Sequence, residues 1–144
     1  MNEQLLRTLR ELDAAREPLL RTLRELEGNR DAAMRRVIIE SPYAGDIERN
    51  VAYLRRCLAD SLHRGEAPYA SHGLYTQPGV LDDGDPEQRR LGIEAGFAWG
   101  RVADAVVVYE DCGVTPGMQM GIDQAAARGL PIERRRLDRP PHSA

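Results

Sequence analysis

The stretch that decides the fold is Ala105-Val-Val-Val-Tyr-Glu-Asp-Cys-Gly-Val-Thr-Pro-Gly-Met-Gln-Met-Gly-Ile-Asp-Gln-Ala-Ala-Ala-Arg-Gly129. It opens with a Val-rich apolar run, which predicts a buried strand. Thr115 and Pro116 are typical of a helix start, and Gly129 is typical of a helix end. The stretch therefore predicts a strand, a polar glycine loop and a helix. Ligands of such units bind where strand carboxyl ends meet helix N-termini.

The same order of elements is found on both sides of this stretch. Residues 37–40 predict a short strand, and Asp46 can cap a helix of about 18 residues with one apolar face. Residues 67–71 predict a second strand, a long loop follows, and residues 131–137 predict a final edge strand. The alternation predicts an α/β fold, with a three-layer, Rossmann- or flavodoxin-like parallel sheet of four or five strands.

The N-terminal segment has a different pattern. The eight residues from Leu5 to Leu12 recur unchanged from Leu19 to Leu26, and their leucines keep a 4-3 heptad spacing. Pro18 interrupts this pattern, so either one helix kinks there or a new helix starts. We expect residues 1–36 to form a leucine-rich, coiled-coil-like arm before an α/β domain at 37–137 and a polar tail at 138–144. The arm either packs on its own domain or serves as an oligomerisation helix or partner-binding arm, and we favour a homo-oligomer.

Composition limits the kind of partner. The net charge is −3 with both signs interspersed, so charge gives no reason to expect nucleic-acid or membrane binding. All 20 basic residues are Arg, which excludes a Schiff-base lysine. Two cysteines make neither a disulfide framework nor a metal site, and we expect no cofactor. With no signal peptide or long apolar run visible, we expect a cytoplasmic protein.

Two motifs carry a resemblance to a known family. One is Val37-Ile-Ile-Glu-Ser-Pro-Tyr-Ala-Gly45, and the other is Asp111-Cys-Gly-Val-Thr-Pro-Gly-Met-Gln-Met-Gly121. Over residues 37–137 the chain resembles the nucleoside 2-deoxyribosyltransferase-like proteins and their phage and bacterial relatives. The resemblance implies a Glu that attacks the anomeric carbon of a 2-deoxyribonucleoside and holds the sugar covalently. It places Gln119 at that position, and a neutral amide is a poor nucleophile that can still hydrogen-bond hydroxyls.

Candidate site residues follow from the motifs and from the loops beside them. The candidate catalytic acids are Asp111, which matches the family's acid, and Glu110 and Glu94, the candidates to replace the missing Glu. Structural roles stay open for several candidates, such as helix capping by Thr115 or a solvated position at a helix start for Asp85. The candidate ligand-binding residues are Ser41, Tyr43, Gly45, His72, Tyr75, Asp85, Arg89, Gly113, Thr115, Gly117, Met118 and Gln119.

Three functional hypotheses remain open from the sequence. The first is a nucleoside- or nucleotide-binding protein that cleaves or transfers an N-glycosidic bond. The second is a binding module that holds a nucleotide derivative without turning it over and assembles through its helical arm. The third is a fold that serves only as a scaffold for the arm.

Overall fold

The computed structural model of the protein describes residues 2–31 and 33–137. The chain divides into two compact units, Met1–Ala33 and Met34–Ala144. The predicted polar tail at 138–144 lies outside the described residues. Within the described ranges, no helix is long and apolar enough to span a membrane.

The first unit contains a single helix, α1, at Glu3–Asp31. Pro18 lies inside this helix, so no new helix starts there. The heptad leucines share one stripe of α1, and among residues 2–31 no second helix covers that stripe.

The second unit is built on one sheet with helices between its strands. All four strands found in the described residues run parallel, in the order β2-β1-β3-β4, as predicted for an α/β fold. The strands are β1 at Arg35–Glu40, β2 at Glu66–Tyr69, β3 at Ala105–Tyr109 and β4 at Ile132–Arg135. The helices are α2 at Ile47–His63, α3 at Ser71–Leu74, α4 at Pro86–Gly100 and α5 at Pro116–Ala127.

Three strands have boundaries that differ from the sequence prediction, and the last one, β4, is shorter than the predicted 131–137 at both ends. The first strand begins at Arg35, and the second strand ends at Tyr69, so Ser71 starts the short helix α3 inside the predicted strand and loop region. The end of β2 is hard to predict because this four-residue strand is mostly half-buried and shows no clear alternation of apolar and polar residues.

Helices cover both faces of the sheet, which gives three layers. On one face, Val37 and Ile39 of β1 pack with Tyr53, Leu54 and Cys57 of α2. On the other face, Val106 and Val108 of β3 pack with Met118, Ile122 and Ala125 of α5. Successive strand residues point to opposite faces, so β1 and β3 contribute to both cores.

The two outer strands are linked by a buried ion pair. Arg135 of β4 donates from Nη1 and Nη2 to the two carboxylate oxygens of Glu66 on β2, at 2.6 and 2.7 Å. The Ser61 hydroxyl donates to the same carboxylate at 2.9 Å. These bonds hold the pKa of Glu66 below its usual value, so the carboxylate stays charged although it is only 5% exposed.

Candidate ligand-binding site

The strand order creates a crevice at the carboxyl end of the sheet. After β1 the chain crosses to β2 on one side, and after β2 it returns to β3 on the other side. The boundary between β1 and β3 is therefore a topological switch point, where α/β sheets bind their ligands. A cavity of about 490 Å³ lies at this point, lined by the end of β1 and by residues of α4 and α5.

The cavity has an apolar wall and a polar rim. The apolar wall includes Ile38, Ile93, Phe97, Val106, Met118 and Leu130. Polar side chains of the two loops after β1 and β3 add Ser41, Tyr43 and Thr115. Both predicted loops thus line one cavity, because the carboxyl ends of neighbouring parallel strands meet at the same sheet edge.

Ser41 and His72 form a hydrogen-bonded pair at this rim. The Ser41 hydroxyl oxygen and His72 Nε2 are 2.8 Å apart. Ser41 is only 3% exposed, and burial lowers the pKa of His72 to about 4. His72 is therefore neutral at pH 7, and the pair offers the cavity hydrogen bonds without net charge.

Glu40 brings a carboxyl group into the same cavity. It is the last residue of β1 and follows Ile38 on the face that α5 covers. Burial raises its pKa to about 8, because the apolar surroundings disfavour the charged form. Among the described residues, no side chain forms a hydrogen bond or ion pair with this carboxyl group.

Comparisons with known proteins assign the family. Residues 35–135 match the model of a family described as "Domain of unknown function (DUF7768)". The chain belongs to this family. The search of curated proteins found no match. The structure is similar to that of the 2-deoxyribosyltransferase from the psychrotolerant bacterium Bacillus psychrosaccharolyticus, with 15% identity and a TM-score of 0.48 over 70% of this chain and 72% of that chain.

Most of the predicted ligand-binding residues lie around the cavity of this DUF7768 domain. Thr115 combines this position with a structural role, because its hydroxyl accepts a hydrogen bond from the Met118 amide and caps α5. Whether these side chains contact a ligand stays a prediction. The predicted ligand-binding residues that line the cavity are Ser41, Tyr43, Gly45, His72, Arg89, Thr115, Gly117 and Met118.

The three candidate catalytic acids do not line the cavity. Asp111 accepts hydrogen bonds from the Tyr53 hydroxyl and from the Leu137 amide, on the α2 side of the sheet. Glu110 pairs with Arg134 Nη1 at 2.5 Å. These carboxylates are held by neighbouring structure, so the geometry gives them a stabilising role.

Glu94 and Gln119 both point away from the cavity, because each lies on the exposed face of its helix. Glu94 is exposed on α4 and accepts a hydrogen bond from Arg90, one turn earlier. Gln119 is exposed on α5 and donates to Asp123, one turn later, at 2.8 Å. Each residue lies on the outer face of its helix, and the sequence prediction had placed both at the site.

Three other predicted ligand residues have local structural roles. Tyr75 accepts a hydrogen bond from Trp99 Nε1 and lines a smaller cavity of about 70 Å³, which shares His72 with the main one. Asp85 caps α4 by accepting from the Glu87 amide. Gly113 has φ +81°, a conformation that the turn requires and that side chains disfavour.

Sequence reasoning missed Glu40, Gly121 and Arg128, all of which line the cavity. A signal for Glu40 was present, because a charged residue ends an otherwise apolar strand directly before the loop motif. Gly121 ends the second motif, but its approach to Glu40, like the position of Arg128 at the cavity, depends on how α5 packs. Among residues 2–31 and 33–137, no three His, Cys, Asp or Glu side chains cluster as metal ligands would.

Proposed function

We propose that the DUF7768 domain of this chain binds a nucleoside or nucleotide in the cavity between α4, α5 and the end of β1. The observation that carries the proposal is one cavity of about 490 Å³ lined by both motif loops. Its volume lies within the range of about 300–1,000 Å³ that is typical of small-molecule sites. The sequence motifs of these two loops are also those that resemble the nucleoside 2-deoxyribosyltransferase-like proteins.

The lining suits a sugar-linked base. The apolar wall, with Phe97 and Met118, can cover the faces of a flat ring, and Tyr43 at the rim can stack on it. The Ser41 and His72 pair can exchange hydrogen bonds with sugar hydroxyls. Arg89 also lines the cavity and offers a guanidinium group to a phosphate, so the proposal includes nucleotides.

A thermal-shift experiment tests binding. The full chain is heated with each of the four 2′-deoxynucleosides and their 5′-monophosphates, and released base is measured by chromatography. A bound ligand at about 100 times its Kd stabilises the native state by about 2.7 kcal/mol, so Tm rises. No rise with any of these compounds would refute the proposal.

Two variants separate the cavity from the exposed face of α5. We expect Tyr43→Ala to reduce the ligand-dependent rise in Tm, because Tyr43 lines the cavity. We expect Gln119→Ala to keep the full rise, because Gln119 is exposed and bonded to Asp123. The opposite pattern would place the ligand elsewhere.

We also propose that α1 self-associates with a second copy of the chain. Its leucine stripe follows a 14-residue sequence repeat, which is two heptads. A helix with such a stripe is stabilised when a partner helix buries the leucines. A stripe that covers its own domain, or binds a different protein, would leave the chain monomeric.

Light scattering on full-length variants tests self-association. Replacing Leu12 and Leu19 with Gln keeps helix propensity but removes the apolar stripe, so we expect the mass to fall to that of one chain. Replacing Arg10 and Arg21 with Gln changes other faces of α1 and should leave the mass unchanged. A monomeric wild-type chain would refute the proposal.

A further inference from the structure

The carboxyl group of Glu40 is unusual among the strand-borne acids of this protein. Glu66 on β2 and Glu133 on β4 both bind Arg135, and Glu133 also binds Arg35. Glu40 is the last residue of β1, on the face that α5 covers, and no described side chain binds its carboxyl group. A carboxyl group without a partner costs free energy in an apolar site, so structure alone does not account for it.

A glycine on the facing helix makes room for this group. At Gly121 of α5, an added Cβ would clash with the Glu40 carboxyl group. Any other residue at position 121 would therefore displace either the side chain of Glu40 or the helix. The close approach of α5 leaves the carboxyl group at the cavity wall, in contact with the space where we place the ligand.

We propose that Glu40 is the catalytic acid and base for hydrolysis of an N-glycosidic bond in this cavity. The inference rests on the proposed nucleoside or nucleotide binding. It assigns catalysis to a residue on β1 and not to any of the acids near the second motif.

The reaction balances with water as the only co-reactant. As the C1′–N bond breaks, its electron pair goes to the base nitrogen, and the protonated Glu40 donates its proton to the leaving base. A water oxygen then bonds to C1′, and the proton that this water loses returns to the Glu40 carboxylate. The products are the free base and the sugar, and Glu40 is again protonated.

Burial supports the role of acid. With a pKa of about 8, Glu40 carries its proton at pH 7, as a proton donor must. An apolar environment raises the pKa of the general acid of a glycosidase in the same way. The other titratable or charged side chains that line the cavity are Tyr43, His72, Asp83, Arg89 and Arg128.

The test compares base release with ligand binding in the same full-length variants. We expect Glu40→Gln to lose about 10²–10⁴-fold in the rate of base release, the usual contribution of a general acid. It should keep the ligand-dependent rise in Tm, which shows that the variant is folded and binds. Glu48→Gln changes an exposed acid on α2, so it serves as the control that keeps both properties.

The outcomes separate this inference from the binding proposal. Ligand binding without base release by the wild type, or equal release by Glu40→Gln, would overturn the inference and leave binding intact. A sugar covalently attached to Glu40, detected by mass spectrometry, would also overturn it, because the residue would then act as a nucleophile. A rate of base release that falls as pH rises through about 8 in the wild type supports the acid role. A wild type whose Tm does not rise with any of the compounds would refute ligand binding itself.

Discussion

Replacing Glu40 with Gln should change how the stability of the protein depends on pH. In the native state burial raises the pKa of Glu40 to about 8, whereas the ordinary value is 4.5. Between these two pH values the unfolded chain has lost the Glu40 proton and the native chain still holds it. The unfolded state therefore binds fewer protons, and the free energy of unfolding falls as pH rises.

The size of the effect follows from the same two pKa values. For each pH unit between 4.5 and about 8, the free energy of unfolding of the wild type should fall by about 1.4 kcal/mol relative to that of Glu40→Gln. Over the whole interval the difference amounts to about 5 kcal/mol, a large part of the stability of a typical domain. Above about pH 8 Glu40 has lost its proton in both the native and the unfolded state. The difference in the free energy of unfolding between the wild type and Glu40→Gln should then become constant.

Urea unfolding of both variants from about pH 5 to about pH 9 measures this difference directly. His72, whose pKa burial lowers to about 4, costs stability as pH falls below its usual 6.5 in both variants, so its effect cancels. Glu48→Gln, at an exposed position, should follow the wild type at every pH. A difference between wild type and Glu40→Gln that does not vary with pH would refute the desolvation of the unpartnered Glu40 carboxyl group, which the proposed acid role requires.

Three further substitutions test the packing around the site. Arg135→Met should lower the free energy of unfolding by about 3–5 kcal/mol in urea, because it leaves the buried Glu66 carboxylate without its bidentate partner. Asp111→Asn should destabilise the domain by about 1–3 kcal/mol in the same assay yet keep the ligand-dependent rise in Tm, since Asp111 lies outside the cavity. Gly121→Ala should slow base release, measured by chromatography, because its methyl group displaces the Glu40 carboxyl group; an unchanged rate would contradict the close approach of α5.

The order of elements could be predicted from local patterns. The valine run of β3 and the apolar period of α2 are set by short-range sequence, and each reports burial directly. Asp46 and Thr115 were expected to start helices, and both accept the capping hydrogen bond from a backbone amide. Parallel strands then follow from the alternation, since a strand–helix–strand connection returns the chain in the same direction.

The sequence also determined that two loops would meet at one edge of the sheet, because parallel strands carry their carboxyl ends to the same side. It did not determine which acids face the cavity. Glu110 and Asp111 follow β3 closely, yet Arg134 and Tyr53 hold their carboxylates, and those partners come from other elements. Gln119 turns outward because of the rotation of α5 about its axis, which a motif does not specify.

Only the tertiary structure brought Glu40 and Gly121 together. They belong to different elements, and the sequence of neither element shows that the two residues meet. The packing of α5 across β1 turns an ordinary strand-end acid into a half-buried, protonated group at a cavity wall. Local sequence patterns fix secondary structure because they act over one or two turns, whereas desolvation depends on the atoms that the whole fold places around a side chain.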